Sequence, residues 1–403
     1  MGWRIIQSIM RNALNFLGYY NMAIAIRKNK NIKKALTEIF AELNFQPGKI
    51  VYVKPNLCGR EPVLPGENTS IEVMDALLEV LLANGSEVII GHGELLGSVD
   101  HKTTFAETLK SSGFDKYQNR KGVKLLNLDD LPRTEIKTQG MTFHLPLDFL
   151  NNKVDTYINL AKIKMHMETA VSFSMKNQMG LASPVDRIMM HKVELEEKIA
   201  ELGIHAKPTL NILEGFPAME HNGPHHGKPR QIDLVVAGAD MVELDSFVAM
   251  LLGIDFEDIK HLAIAESLSV GRRFDKNELS KYKDFVIPDF RRADKVFNFG
   301  RQMRAYPTYS CSRCINVVNL AGREFKKHPF KYWRVIFKAL FSREKINIIF
   351  GRADELDLNQ NGKFVCVGNC AKNFSERYGV DCLDKCPPGI EEAREYIVKK
   401  VIE

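Results

Sequence analysis

Six of the seven cysteines fall after residue 310: Cys311, Cys314, Cys366, Cys370, Cys382 and Cys386. Four of these lie in the single stretch CVGNCAKNFSERYGVDCLDKCPPG, residues 366–389. Short paired spacings let two thiolates from one turn reach one metal, and two such pairs close a four-thiolate site. Three pairs of that kind are present, so the thiols outnumber what one cluster needs. Zinc accepts these ligands as readily as iron does. The ending CPPG speaks for iron–sulfur, because a proline after the last ligand covers a cluster. On spacing alone both metals stay open. Cys58, isolated after KPNL, is expected to be a packed thiol or a neighbour of ligands rather than a ligand.

A second set of residues is basic or amide-bearing and follows β-like runs. Lys54 and Asn56 stand in VKPNL, and His92 and Glu94 in GHGE. If NLAKIKMH is extended, its period of two puts Lys162, Lys164 and His166 on one side. Lys176 and Asn177 follow in SMKNQMG, His191 in MMHK, and Glu214, Glu220, His221, His225 and His226 in EGFPAMEHNGPHHGKP. Brought to one sheet edge, such lysines and amides would bind a carboxylate or phosphate. The histidines would ligate a metal or move a proton. The expected binding residues are Lys54, Asn56, Asn177, Gly223, His225 and Gly227; the expected chemical ones are His166, His191, Lys164 and Lys176. EGFPAMEHNGPHHGKP is expected to be a loop over that edge, since Gly223, Pro224, Gly227 and Pro229 break regular structure. The competing reading scatters all of these as unrelated surface residues with snorkelling stems.

The elements that would position them alternate. KIVYVKPNL is an apolar β-branched run. TSIEVMDALLEVLLANG carries Met74, Leu77, Leu78 and Leu81 at helical spacing, with Thr69 and Glu72 as a candidate capping box and Gly85 at the stop. EVIIGHGE is the next strand. VDTYINL, TLNILEG and IDLVVAGAD read as buried strands, and MVELDSFVAMLLG as a helix ending at a glycine. The expected fold is therefore α/β, a mostly parallel sheet covered by helices on both faces, with ligands at the carboxyl ends of strands. A smaller C-terminal cysteine-rich α+β domain follows. The boundaries read as a lead-in over 1–45, the α/β domain over 46–290 and the cysteine domain over 291–403.

VYVKPNL, INLAKIKMH, SFSMKNQMG, GFPAMEHNGPHHGKP and VVAGADMVELDSFVAMLLGID, in that order, resemble the landmarks of the domain of unknown function family 362 (DUF362). The resemblance spans roughly residues 49–272 and falls on Lys54, Asn56, Lys164, His166, Lys176, Asn177, His191, Gly223, Pro224, Gly227, Asp240 and Asp245. It implies an iron–sulfur protein, since many relatives pair this domain with a four-cysteine segment. The bacterial ferredoxin run C-x₂-C-x₂-C-x₃-C-P is absent here, which puts the cluster type in question. Added to the spacing, the resemblance favours one [4Fe–4S] cluster over zinc. Cys311, Cys314, Cys370 and Cys386 are its expected ligands, with Cys366 and Cys382 in reserve.

With 403 residues, 45% hydrophobic and 26% charged, the chain has the composition of a soluble globular protein. The net charge of +6 suits an acidic small molecule or an acidic carrier protein and falls short of a nucleic-acid footprint. No stretch has the apolar length that spans a bilayer, and the N-terminus lacks a secretory pattern. These point to the cytoplasm, where clustered cysteines mean metal or redox chemistry. Residues 322–346 hold eight Lys/Arg against Glu324 and Glu344. Phe330, Trp333, Phe337 and Leu340 share one helical face there, Lys327, Lys331, Arg334 and Lys338 another. The plain expectation packs the aromatic face on the core; the alternatives are docking of an acidic electron carrier or contact with a membrane surface.

The function expected is an iron–sulfur-dependent oxidoreductase acting on an anionic small molecule. Its rivals are a non-catalytic electron-transfer or maturation protein and a zinc-stabilised binding module.

Overall fold

The computed structural model describes residues 24–403 except 59–62, 99–100, 139–140, 193, 225, 294–295, 307–311, 351–361 and 386–387. For His191, His226, Cys314, Cys370 and some further residues within helices and strands it describes the backbone alone. The chain forms two units, divided in sequence at Ala293/Asp294, with Met167–Thr169 and Met190–Glu196 grouped with the second.

The strands of the first unit's main sheet are β1 (Ala25–Lys28), β2 (Ile50–Pro55), β3 (Glu87–His92), β4 (Val123–Asn127), β5 (Thr156–His166), β6 (Leu210–Asn222), β7 (His226–Arg230) and β8 (Leu234–Gly238), with the two-residue strand Ala170–Val171 paired antiparallel to the end of β5. Their order across the sheet is β1-β8-β6-β5-β2-β3-β4, with β7 hydrogen-bonded to β6. The pairs β6/β5, β5/β2, β2/β3 and β3/β4 are parallel, while β1/β8, β8/β6 and β6/β7 are antiparallel. The sheet is thus mostly parallel and mixed at one edge. From β2 the chain runs outward through β3 and β4, then returns to lay β5 on the other side of β2. That reversal is where open α/β sheets open a crevice at their carboxyl ends.

Alternation decides what each face buries. Val51 and Val53 of β2, Ile158 and Leu160 of β5 and Ile212 of β6 enter a core shared with α1 (Ile32–Glu42) and α2 (Ile71–Ala83). Helix α1 contributes Leu36, Ile39 and Phe40, and α2 contributes Met74, Leu77, Leu78 and Leu81, the positions its spacing predicts. On the opposite side Tyr52 meets Tyr157 and Phe149, with ring centroids 5.0 and 5.2 Å away. The one-turn helix α3 (Ser174–Asn177), helix α4 (Pro184–Lys192), helix α5 (Met241–Leu251) and helix α6 (Lys260–Ser267) complete what the site needs. The described part of the lead-in is no separate piece: β1 is an edge strand of this sheet.

Two local expectations are corrected. Ser70, not Thr69, caps α2, and its side chain makes no cap hydrogen bond. The Ser70 hydroxyl is bound instead by Lys162, Glu214 and the Phe216 carbonyl, so a buried charge pair outcompetes the capping box. EGFPAMEHNGPHHGKP is also not a loop. Its described residues form the β6/β7 hairpin, with Met219 opposite Pro229 and Asn222 opposite His226. The prolines are tolerated because Pro217 sits where the β6/β5 register slips and Pro229 lies on a strand that pairs with β6 alone among the described strands.

The second unit has strands β9 (Phe297–Asn298), β10 (Met303–Tyr306), β11 (Ile346–Phe350), β12 (Lys363–Val367) and β13 (Cys382–Leu383), in that spatial order. From β10 to β13 they are parallel. Helices α7 (Ser312–Lys327), α8 (Trp333–Phe341), α9 (Lys372–Tyr378) and α10 (Ile390–Ile402) accompany them. Val335, Ala339, Ile346, Ile348, Val365, Ile397 and Val401 belong to its core.

Candidate anion site

Lys54, the penultimate residue of β2, is fully buried. Its side chain leaves the sheet on the Tyr52 side, because Val53 takes the other. The ammonium Nζ donates to Asn177 Oδ1 at 3.2 Å and to the Pro55 carbonyl at 3.5 Å. The Asn177 carbonyl oxygen also accepts from Asn56 Nδ2 at 2.9 Å, and Asn177 Nδ2 donates to Asn159 Oδ1 at 2.8 Å. Asn159 Nδ2 in turn donates to Asn211 Oδ1 at 2.9 Å. A buried ladder of amides thus links the end of β2, the first half of β5 and the start of β6 to α3.

Helix α3 is held from outside itself. The Asp245 carboxylate accepts the backbone N–H groups of Ser174 and Met175 at 2.9 and 2.8 Å. Burial pushes the Asp245 carboxyl up to about 7, against the pull of those two donors. Asp240, at the N-cap of α5, accepts from Val242 and Glu243.

Two further basic groups share the ammonium's surroundings. A Cβ placed on Gly180 would stand 2.7 Å from Lys54 Nζ and 3.7 Å from His92 Nε2, so both nitrogens flank one point that only a glycine leaves free. His92 Nδ1 lies 2.6 Å from the Gly93 carbonyl. Nδ1 must therefore carry the proton, which leaves Nε2 as an acceptor. Burial, then the charges of Lys54 and Arg187, hold the His92 imidazole well below its ordinary value, so it is neutral. Arg187 of α4 gives Nη2 to the Glu94 carbonyl at 2.6 Å and to Asp129 at 3.4 Å. Its Nη1 is buried without a hydrogen-bond partner among the described residues. Burial first, and Arg187 second, lower Lys54 to about 7. An anion entering here would find a half-charged ammonium and an unused guanidinium N–H.

The sequence of the first unit identifies its kind. Residues 51–250 match the family model described as Domain of unknown function (DUF362). The chain belongs to that family. Among curated proteins, a thylakoid-associated protein of Synechocystis sp. is 28% identical over 242 residues, covering 56% of this chain and 70% of that protein.

Within the DUF362 segment the remaining expected residues divide. Lys162 and Lys164 leave β5 on the side opposite Lys54. Lys162 pairs with Glu214 at 2.7 Å, both side chains fully buried. Lys164 donates to the Glu67 carbonyl at 2.8 Å and approaches Cys58 Sγ at 3.0 Å, so Cys58 is a half-buried thiol beside an ammonium. Lys164 still stands near enough to Lys54 to help lower its pKa. His166 is buried at the end of β5, opposite Ala170. Lys176 is half-buried, and its charge acts on the buried His261 of α6. Gly223 sits so close to the Met165 carbonyl that an added Cβ would stand 2.1 Å from its oxygen, and no side chain fits. Gly227 packs against Met219. His225 lies outside the described residues, as do the side chains of His191 and His226. Arg187 was not among the expected residues. Its signal was position: it precedes His191 by one helical turn in PVDRIMMHK.

In the second unit Cys366 and Cys382 are register neighbours on the parallel strands β12 and β13. Parallel partners point to the same side, and these share an apolar cluster with Tyr306, Ile349, Ala371 and Phe374. Burial pushes the Cys366 thiol up to about 12 and Cys382 to about 11, so both are protonated at neutral pH. Cys311 and Cys386 lie outside the described residues, and only the backbone of Cys314 and Cys370 is described. In the chain these four follow β10, β12 and β13, parallel strands whose carboxyl ends share one edge. No group of three or more potential metal ligands occurs among the described residues, and no helix among them is long and apolar enough to cross a membrane.

Proposed function

We propose that the first unit binds a small carboxylate- or phosphate-bearing molecule between Lys54, His92 and Arg187, within an iron–sulfur-dependent oxidoreductase of a reducing, cytoplasmic compartment. The observation that carries the binding step is the grouping of three basic side chains. Among the described residues Arg187 Nη1 is unpartnered and Lys54 has no carboxylate as a hydrogen-bond partner. Buried charges are normally paired; Arg187 has Asp129, whereas the ammonium of Lys54 is buried without a carboxylate, and an anionic ligand would supply the missing charge. Lys54, near 7 in the free protein, is charged by an arriving anion and is suited to return that proton to the substrate. Neutral His92, its Nδ1 proton held by the Gly93 carbonyl, offers Nε2 as an acceptor toward the same point. Asn177, itself held by Asn56, fixes the position of the Lys54 ammonium, and the Asn56 oxygen, unpartnered among the described residues, is open to a substrate N–H or O–H.

What supports a thiolate-held cluster in the second unit is the sequence: six cysteines in short paired spacings, the last followed by Pro-Pro-Gly. Cys311, Cys314, Cys370 and Cys386 would hold it, and a bound cluster supplies single electrons. Calorimetric titration of phosphate and of small carboxylates tests the binding step. Binding that disappears in Lys54→Met and Arg187→Met supports it, and binding unchanged in both variants refutes it. Iron and sulfide analysis after anaerobic purification tests the cofactor; stoichiometric zinc without iron ends the oxidoreductase reading.

A further inference from the structure

Helix α8 is inverted for a surface helix. Val335 and Ala339 are buried in the second unit's core. At about 100° per residue, the side facing away from them is centred on Phe337. It should be polar. Instead it carries Trp333, Phe337, Leu340 and Phe341, which are 60%, 57%, 41% and 66% exposed, and Phe330 just before the helix is 92% exposed. The rings of Phe337 and Phe341 lie 5.1 Å apart within this outward row. The plain sequence expectation, aromatic face inward, is therefore overturned.

We infer that this face is a peripheral anchor that seats in the headgroup region of an anionic lipid bilayer. Three observations select that occupant. WRVIFKALF contains no acidic, hydroxyl or amide side chain, so the Trp333 indole N–H is the outward row's one hydrogen-bonding group, and an indole N–H beside apolar surface suits the headgroup region. The surrounding charge is mainly of one sign: Lys326, Lys327, Lys331, Arg334, Arg343 and Lys345 are exposed beside it, against Glu344 as the exposed acid in the same stretch. That balance complements acidic headgroups. A helix of nine residues is too short to span a bilayer, so it lies in the interface plane, where Trp and Phe are favoured.

The chain has two tryptophans, Trp3 and Trp333, so the full-length Trp3→Phe protein reports Trp333 fluorescence alone. Vesicles of phosphatidylcholine containing one-third phosphatidylglycerol should shift its emission to the blue and carry the protein down on sedimentation. Pure phosphatidylcholine should bind at least tenfold more weakly. Phe337→Asp with Phe341→Asp should lower binding at least tenfold without changing the melting temperature by more than a few degrees. Lys331→Gln with Arg334→Gln should erase the preference for anionic vesicles. Any of three results overturns the proposal: no shift with anionic vesicles, binding that survives the double aspartate variant, or Trp333 already blue-shifted without lipid. An acidic carrier protein that shifts the emission when vesicles do not would assign the face to a protein instead.

Discussion

Lys54 Nζ and Asn177 Oδ1 stand 3.2 Å apart, one at the end of the central strand and the other at the end of a one-turn helix that the Asp245 carboxylate holds in place. The neutral amide is the strongest partner Lys54 has within hydrogen-bond reach among the described residues. Burial therefore lowers its pKa from 10.5 to about 7 rather than being compensated.

The sign of the resulting pH dependence follows. Below about 7 Lys54 is protonated in both the folded and the unfolded chain, and its full burial cost is present. Between there and 10.5 only the unfolded chain keeps the proton, so rising pH removes that cost at about 1.4 kcal/mol per pH unit. Lys54→Met should be more stable than the wild type at pH 6.5. Its advantage should shrink by about that slope towards pH 9.5, measured by urea unfolding. A difference that stays flat with pH would mean that Lys54 keeps its charge when folded. Anion affinity runs the other way: it should be greatest below pH 7 and fall by up to about tenfold per unit above it, since each bound anion takes up a proton at Lys54.

Gly180→Ala probes the same point without touching a charge. The new methyl would stand 2.7 Å from Lys54 Nζ and 3.0 Å from its Cε. The ammonium has to move, and insertion of a methyl into a packed interior costs about 1–3 kcal/mol. Titration with phosphate should show at least tenfold weaker binding. Unchanged affinity would place the anion elsewhere.

On the other side of the sheet Lys162 and Glu214 form a buried pair, and Glu214 also accepts the backbone N–H groups of Ser70 and Phe216, each at 2.9 Å. Lys162→Met leaves that carboxylate uncompensated and should cost about 3–5 kcal/mol in urea unfolding. Adding Glu214→Gln should recover part of the loss, because the amide keeps a carbonyl acceptor and no charge remains. No recovery would mean that packing, not charge, dominates there.

In anaerobically purified protein, Cys314→Ser or Cys386→Ser should bleach a brown colour and lower the melting temperature, because a cluster bound only by the folded chain adds to its stability. Cys58→Ser should leave the colour intact, as that thiol packs against Lys164. Colour that survives the loss of both Cys314 and Cys386 would move the ligand role to Cys366 and Cys382.

The sequence by itself determined the alternation of elements. The spacing of Met74, Leu77, Leu78 and Leu81 made α2, the runs around Val53 and Ile158 made central strands, and the period of two put Lys162 and Lys164 together, because these are properties of neighbours along the chain. Tertiary structure decided what depends on neighbours across it. Ser70 became the cap, yet its hydroxyl was claimed by Lys162 and Glu214 from two other strands. Pro217 and Pro229 entered a hairpin because the sheet offered a register slip and an edge. Lys54 was separated from Lys162 by the pleat and joined to His92 and Arg187 by the order in which β2, β3 and α4 pack. Helix α8 shows the same division: its amphipathic pattern was visible in the sequence, but which face met the core was settled by Val335 and Ala339, the side small enough to pack closely.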